Sequence, residues 1–390
     1  MEGYARLEEL DMATLSIHGD HGLEHTPDVA PPLHLTTTFF TGNSDGLVYS
    51  RAHTMTRTRL EKVLGELDGG HAVTYPTGMS TVTALLFLLK PQVVYIAEGG
   101  YFGVHDALQH WKQLIEAYAG EGAFKVVDLN GGQLEALAAK EKEESGKEQR
   151  VLIWLETPKN PTCTLQDVPY YSKLAKAIGA KVAVDSTFAT PILQKPLSQG
   201  ADYTVHSCSK FLSGHSDLTA GAIITKTEEE AKVLRQERNY RGNALGNMET
   251  WLLLRSLRSL SVRVVQQSQS AAELAKWLDS KVGEEGSHVK KVWHPTLKSN
   301  GDNYELCQRL MNGKGPGILS VELDTVENTF KFQKSLKLFT DATSLGGYES
   351  LIDYRYRWDK TCSPTLLRVS IGLEATQDLI NDMDAALKSL

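Results

Sequence analysis

Cysteine is scarce: four residues in 390, at positions 163, 208, 307 and 362, with no C-x-x-C pair among them. That scatter excludes a disulfide framework or a zinc ribbon as an organising device, and it fits reduced thiols in a cytoplasmic protein. Long apolar runs are missing as well. The longest, "TALLFLL" (83–89), falls far short of the roughly 20 residues that a bilayer-spanning helix needs, so no membrane role is expected. The opening residues "MEGYARLEELDM" are acidic and have no apolar centre, which reads as neither a signal nor a transit peptide. Positive charge is not in excess: the formal net charge is −7, which gives no electrostatic reason to expect nucleic acid or acidic lipid as a partner. Internal repeats and low-complexity linkers are absent, and the mixed-charge run "AAKEKEESGKEQR" (138–150) reads as a solvated helix end and loop.

What is present is enough chain for more than one core, because single cores stop growing below this length. Residues 1–60 read as an irregular, extended arm, with "PPLHLTTTFF" (31–40) as its apolar patch. A helix in "TRLEKVLGELDGG" ends on Gly69 and Gly70, and another starts near Met79. Short runs apolar on both faces follow at 93–97, 151–156, 181–185, 203–206 and 221–225, separated by helical stretches. That alternation predicts an α/β domain over 61–250 with a largely parallel sheet covered on both sides. A long amphipathic segment (248–278), the strands "GILSVELD" and "LLRVSIGL", and a closing helix predict a smaller α+β domain over 251–390.

The densest chemistry lies in "ADYTVHSCSKFLSGHSD" (201–217), where a strand runs into a turn presenting Ser207, Ser209 and Lys210. Ser207 and Lys210 make S-x-x-K, the spacing of an amine-activated serine, but the S-D-N and K-T-G elements that chemistry also needs are reduced to "SDL" and "KTE". The other chemistry is a Schiff-base lysine for pyridoxal phosphate. That cofactor needs phosphate donors, a carboxylate beside its ring nitrogen and a flat surface against its ring. Asp185 closes the preceding strand, and an anion there favours the protonated ring. Thr77, Gly78 and Met79 lie where a strand enters a helix, and the free amides of a helix start attract phosphate. Each signal alone has an ordinary structural explanation: a helix cap, or a solvated lysine. Their order along the chain favours the cofactor.

The segment "VAVDSTFATPILQKPLSQGADYTVHSCSKFLSGHSDLTAGAI" resembles the lysine signature of the Cys/Met-metabolism family of pyridoxal-phosphate enzymes, and the likeness extends over nearly the whole chain. The family includes cystathionine γ-synthase, γ-lyase and β-lyase. It implies the aspartate-aminotransferase-like fold of pyridoxal-phosphate transferases, with pyridoxal 5'-phosphate held covalently by Lys210. Also implied are Asp185 at the ring nitrogen, with Gly78, Met79, Thr187, Ser207 and Ser209 around the cofactor. "EGGYFGVH" makes Tyr101 the ring-stacking residue, and a proton donor if cations acidify its phenol. "ETPKNP" supplies Asn160, and "LLRVSIGLE" supplies Arg368 as the clamp for the substrate carboxylate beside Ser344. "YSRAHTMTR" assigns Tyr49 and Arg51 to the phosphate of a neighbouring subunit, so the site is shared in a dimer within a homotetramer.

Departures from the pattern fall at Thr54 and Met55, Lys159, Thr343 and "IDYRYRWDKTCSP" (352–364), all expected to face the distal substrate or its entrance. The resemblance implies an amino-acid substrate and γ-carbon chemistry on a homoserine-derived compound. β-Elimination of cystathionine, and loss of activity in favour of binding, are the alternatives. His18, His21 and His25 are expected to be surface or subunit-contact residues and not metal ligands, and His206 a packed strand-end residue.

Overall fold

A computed structural model describes residues 10–23, 26–131, 134 and 150–390. The larger sheet contains β1 (His71–Tyr75), β2 (Val93–Ile96), β3 (Lys125–Asp128), β4 (Val151–Glu156), β5 (Lys181–Asp185), β6 (Tyr203–Ser207) and β7 (Gly221–Thr225), in the order β1-β7-β6-β5-β4-β2-β3. Pairing from β3 through to β6 is parallel, and β7 runs antiparallel to both β6 and β1.

The absence of polar alternation in these strands has a direct cause. In β4, Leu152 and Trp154 enter one core while Ile153 and Leu155 enter another. Helices Gly78–Leu89, Phe102–Ala119 and Glu228–Tyr240 cover the first face, and Val168–Ala177 covers the second. A sheet buried on both sides has no face left for polar residues. Only β3 reads differently: "KVVD" is largely exposed at the sheet's edge, so burial gave its sequence no signature.

The smaller sheet contains β8 (Val289–Trp293), β9 (Ile318–Leu323), β10 (Thr340–Asp341), β11 (Leu351–Tyr354) and β12 (Leu366–Ser370), in the order β10-β11-β12-β9-β8. The closing helix Thr376–Lys388 packs on it through Leu379, Met383 and Ala386, a spacing that keeps them on one helical face.

Two expectations change. The amphipathic segment 248–278 is not continuous but forms helices Asn247–Leu257 and Leu260–Ser280. The break falls at Arg258, whose guanidinium is drawn to Asp20 and to the carbonyls of Ser16 and Ile17. The second of these helices joins the two sheets, with Leu260 and Val264 in the core shared with the larger one and Leu274 and Leu278 in that of the smaller. Residues 1–60 are also not irregular throughout. Helix Met12–His18 lies there, and Met55–Asp68 begins there because Thr54 caps it, accepting a hydrogen bond from Arg57 N.

Candidate active site

Parallel strands share one functional edge, where their carboxyl ends leave a crevice for ligand. Here β4, β5 and β6 end at Glu156, Asp185 and Ser207, and all three residues line a cavity of about 490 Å³. Lys210 lies in the turn after β6, where its amide donates to Ser207 O (3.2 Å) and its carbonyl accepts from Gly214 N (2.8 Å). Its Nζ donates to Ser344 Oγ at 3.0 Å, across from the smaller sheet. The approach is close: a Cβ on Gly346 would sit 2.6 Å from Phe211 N, and the φ of +78° there is one that glycine adopts freely. Partial burial, and then the charge of Arg368, hold the Lys210 ammonium below the ordinary lysine range.

Around the lysine the groups interlock. Asp185 Oδ1 accepts from Thr187 N (3.0 Å) and Thr187 Oγ1 (2.6 Å), and that same hydroxyl accepts from Ser207 N (2.9 Å). No ion pair to Asp185 is formed among the described residues, and desolvation pushes its carboxyl upward against the Thr187 hydrogen bonds. Ser209 Oγ accepts from Ala220 N (2.9 Å) and so ties the turn to the start of β7. Opposite, Thr77 caps helix Gly78–Leu89 by accepting from Ser80 N, while the Gly78 and Met79 amides occupy the first turn, which has no intrahelical acceptors. A Cβ at Gly78 would come within 3.0 Å of Ser207 Oγ, so only glycine lets this helix start approach the end of β6 without displacing that hydroxyl.

Arg368 on β12 is 3% exposed. Its Nη1 donates to Asn160 Oδ1 (3.1 Å), and its Nη2 donates to Ser344 O (3.1 Å) and Asp353 Oδ2 (3.2 Å). Asp353 stands opposite Arg368 in the β11–β12 register. Thr343 lines the cavity and contributes its carbonyl to the same guanidinium.

Glu156 is a site residue that was not singled out from the sequence. Its Oε2 accepts from Tyr101 N (2.7 Å) and its Oε1 from Asn160 N (2.9 Å), so one carboxyl group holds two walls of the cavity. A signal for it existed: it closes "VLIWLE" as Asp185 closes "KVAVD", and β4 pairs with β5 so that the two acids are neighbours. Desolvation and then repulsion from Asp185 push the Glu156 carboxyl upward. Arg355 and Trp358, within the segment marked as divergent, also line the cavity.

The expected acidification of Tyr101 does not hold, and the other expected residues take the following places. The Tyr101 phenol is not acidified in this chain: desolvation and the charge of Asp185 raise its pKa, and Arg355 only partly opposes them. Thr54 is buried as a helix cap, and neither it nor Met55 lines the cavity. Lys159 Nζ reaches back to Glu98 O (3.0 Å). Tyr49 and Arg51 lie on the exposed surface outside this cavity, where Arg51 Nε donates to Asn239 Oδ1 (3.1 Å). His206 is fully buried against Asp68 (2.9 Å). No cluster of three or more His, Cys, Asp or Glu side chains suited to a metal ion occurs among the described residues, and His25 lies outside them.

The profile of the Cys/Met metabolism PLP-dependent enzymes matches residues 13–388. The chain belongs to that family. Pyridoxal 5'-phosphate is therefore its cofactor, and the protein is an enzyme. The chain is 36% identical to the cystathionine γ-synthase of Escherichia coli over 378 residues, 93% of each chain. It is 34% identical to a cystathionine β-lyase of Lactococcus lactis, covering 96% of this chain and 98% of the relative. The solved cystathionine γ-lyase of Lactobacillus plantarum, complexed with L-serine, superposes with a TM-score of 0.85 at 27% identity, over 97% of this chain and 99% of that one.

Proposed function

We propose that this family member carries out transsulfuration at the γ carbon, by γ-replacement or γ-elimination on a homoserine-derived amino acid. The observation that carries the reading is the meeting of Lys210 Nζ with Ser344 Oγ at 3.0 Å, in the cavity that Arg368 and Asp185 also line. An amine of depressed pKa thus stands next to a clamp for an α-carboxylate. The residues fit the cofactor. Asp185 lacks a cationic partner that a protonated ring nitrogen would provide, and the Gly78 approach leaves helix amides, with Ser207 and Ser209, where a phosphate would sit. When bound, pyridoxal phosphate supplies an electron sink for charge developing at the substrate Cα.

The chain's own residues do the rest. Arg368, fixed by Asn160 and Asp353, takes the substrate carboxylate in a fork that lysine could not reproduce. Lys210 Nζ would take the Cα proton of the bound substrate, a role that its lowered pKa favours. A second removal at Cβ opens the route to loss or exchange at Cγ. Tyr101, whose phenol is held neutral by desolvation and Asp185, would stack on the cofactor ring. Tyr49 and Arg51, exposed and outside their own cavity, serve the phosphate of a neighbouring subunit, which requires a dimer and fits a homotetramer. A cytoplasmic setting belongs to the same reading, since the four cysteines are unpaired and three are buried.

The test offers purified holoenzyme L-cystathionine, O-acyl-L-homoserine with cysteine, and methionine. Cystathionine synthesis or 2-oxobutyrate is expected. Pyruvate alone would replace γ with β chemistry, and no product from any of the three would overturn the reading.

A further inference from the structure

Arg355 directly follows β11, is 4% exposed and lines the cavity beside Arg368. Only its Nη1 is well partnered, donating to Asp353 Oδ2 at 2.9 Å. Its Nε and Nη2 are buried with no hydrogen-bond partner, as is Asp353 Oδ1. The nearby Cys362 thiol is a weak acceptor that already donates to Asp359 Oδ2 (3.5 Å). Arg368 differs, since its two terminal nitrogens reach Asn160, Thr343, Ser344 and Asp353. A buried donor without an acceptor carries its full desolvation penalty, and a guanidinium carries it for a charged group.

The Nε–Nη2 edge is the geometry that grips a carboxylate with two parallel bonds. The turn that presents it is fixed, because Arg355 O accepts from both Trp358 N and Asp359 N at 3.0 Å. Tyr101 and Arg368 line the same cavity, and the charge of Arg355 acts on both, which puts the expected ring position and the carboxylate clamp within its electrostatic reach.

We infer that Arg355 is a specificity-determining residue whose Nε and Nη2 bind a second carboxylate, carried by the distal end of the amino-acid substrate or by its thiol partner. The inference rests on the amino-acid substrate of the proposed function. It does not require the γ chemistry.

The direct test titrates holoenzyme with L-2-aminoadipate and L-2-aminopimelate, each against the amino acid bearing a methyl in place of the distal carboxyl. Binding is read from the cofactor's absorbance and from thermal shift. Wild type should bind the diacids roughly 10- to 100-fold more tightly than their methyl-ended counterparts, and Arg355→Met should bring that ratio close to one. Arg355→Lys, which keeps the charge and loses the fork, should fall between and decides the matter if the Met variant does not fold. A wild-type ratio near one, or a ratio kept in both variants, overturns the inference. So does an equal loss for both ligand types, which would assign Arg355 to the α-carboxylate.

Comparing O-succinyl- with O-acetyl-L-homoserine, and cysteine with 2-aminoethanethiol, tells whether the donor or the thiol brings the acid. Turnover without a diacid preference sinks this inference alone. A preference without turnover sinks only the proposed function.

Discussion

The two ends of the cavity are built on different principles. The proposed cofactor end is made of strand termini: Asp185 and Ser207 close β5 and β6, which are clamped between two helical layers, and the Lys210 turn follows β6. The proposed substrate end is made of Arg368 on β12 and the connections around Thr343, Ser344 and Arg355 in the smaller sheet. At the first end, side chains answer to the protein's own backbone, as Asp185 accepts from the Thr187 amide and Thr187 Oγ1 from the Ser207 amide. At the second, two guanidiniums share one carboxylate, Asp353, and one of them keeps donors unmet. Strand ends fix chemistry that does not change, whereas connecting segments can be rewritten to change what is accepted.

The contrast can be broken most sharply at Lys210. Lys210→Ala should lower turnover by about 10⁴-fold or more, since it removes the proton-transferring amine. It should also abolish the absorbance of lysine-linked cofactor, whereas activity within tenfold of wild type would move the chemistry elsewhere. Arg368→Leu should reduce kcat/KM on the order of 10²–10³-fold, mostly through KM, while cofactor absorbance persists. Parallel loss of cofactor would mean that the two ends are not separable.

The smallest effect concerns cofactor removal. Desolvation and Asp185 push Glu156 from the ordinary 4.5 up to about 8. The folded apoprotein then holds a proton that the unfolded chain has released. Its stability should therefore fall as pH rises between those two values, measured as a declining urea midpoint. A cation opposite Asp185 relieves the pair, so the holoenzyme should show a shallower decline. Equal slopes would detach Asp185 from the cofactor.

Much of this was legible in one dimension. Five strands of the larger sheet stand out because burial on both faces leaves near-continuous apolar runs. Lys210, Asp185 and the Gly78 region stand out because strand ends and helix starts can be read from such runs. Glu156 closes its strand in the same manner and was readable by that logic. β8, β10 and β11 did not stand out, for "VKKVW" is half exposed and β10 is two residues long.

The residue types and their order determined the cofactor chemistry, because a strand-end acid, a glycine at a helix start and a lysine in a turn each have few geometries open to them. Tertiary structure alone decided three things: that Arg368 lies against Asn160, 208 positions away, that Glu156 serves Tyr101 and Asn160 at once, and that Arg355 is sealed in with unmet donors. None of these contacts leaves a periodic trace: Glu156 draws together the connections that follow β2 and β4, and the Arg368 contact depends on how the two sheets meet across the long helix Leu260–Ser280.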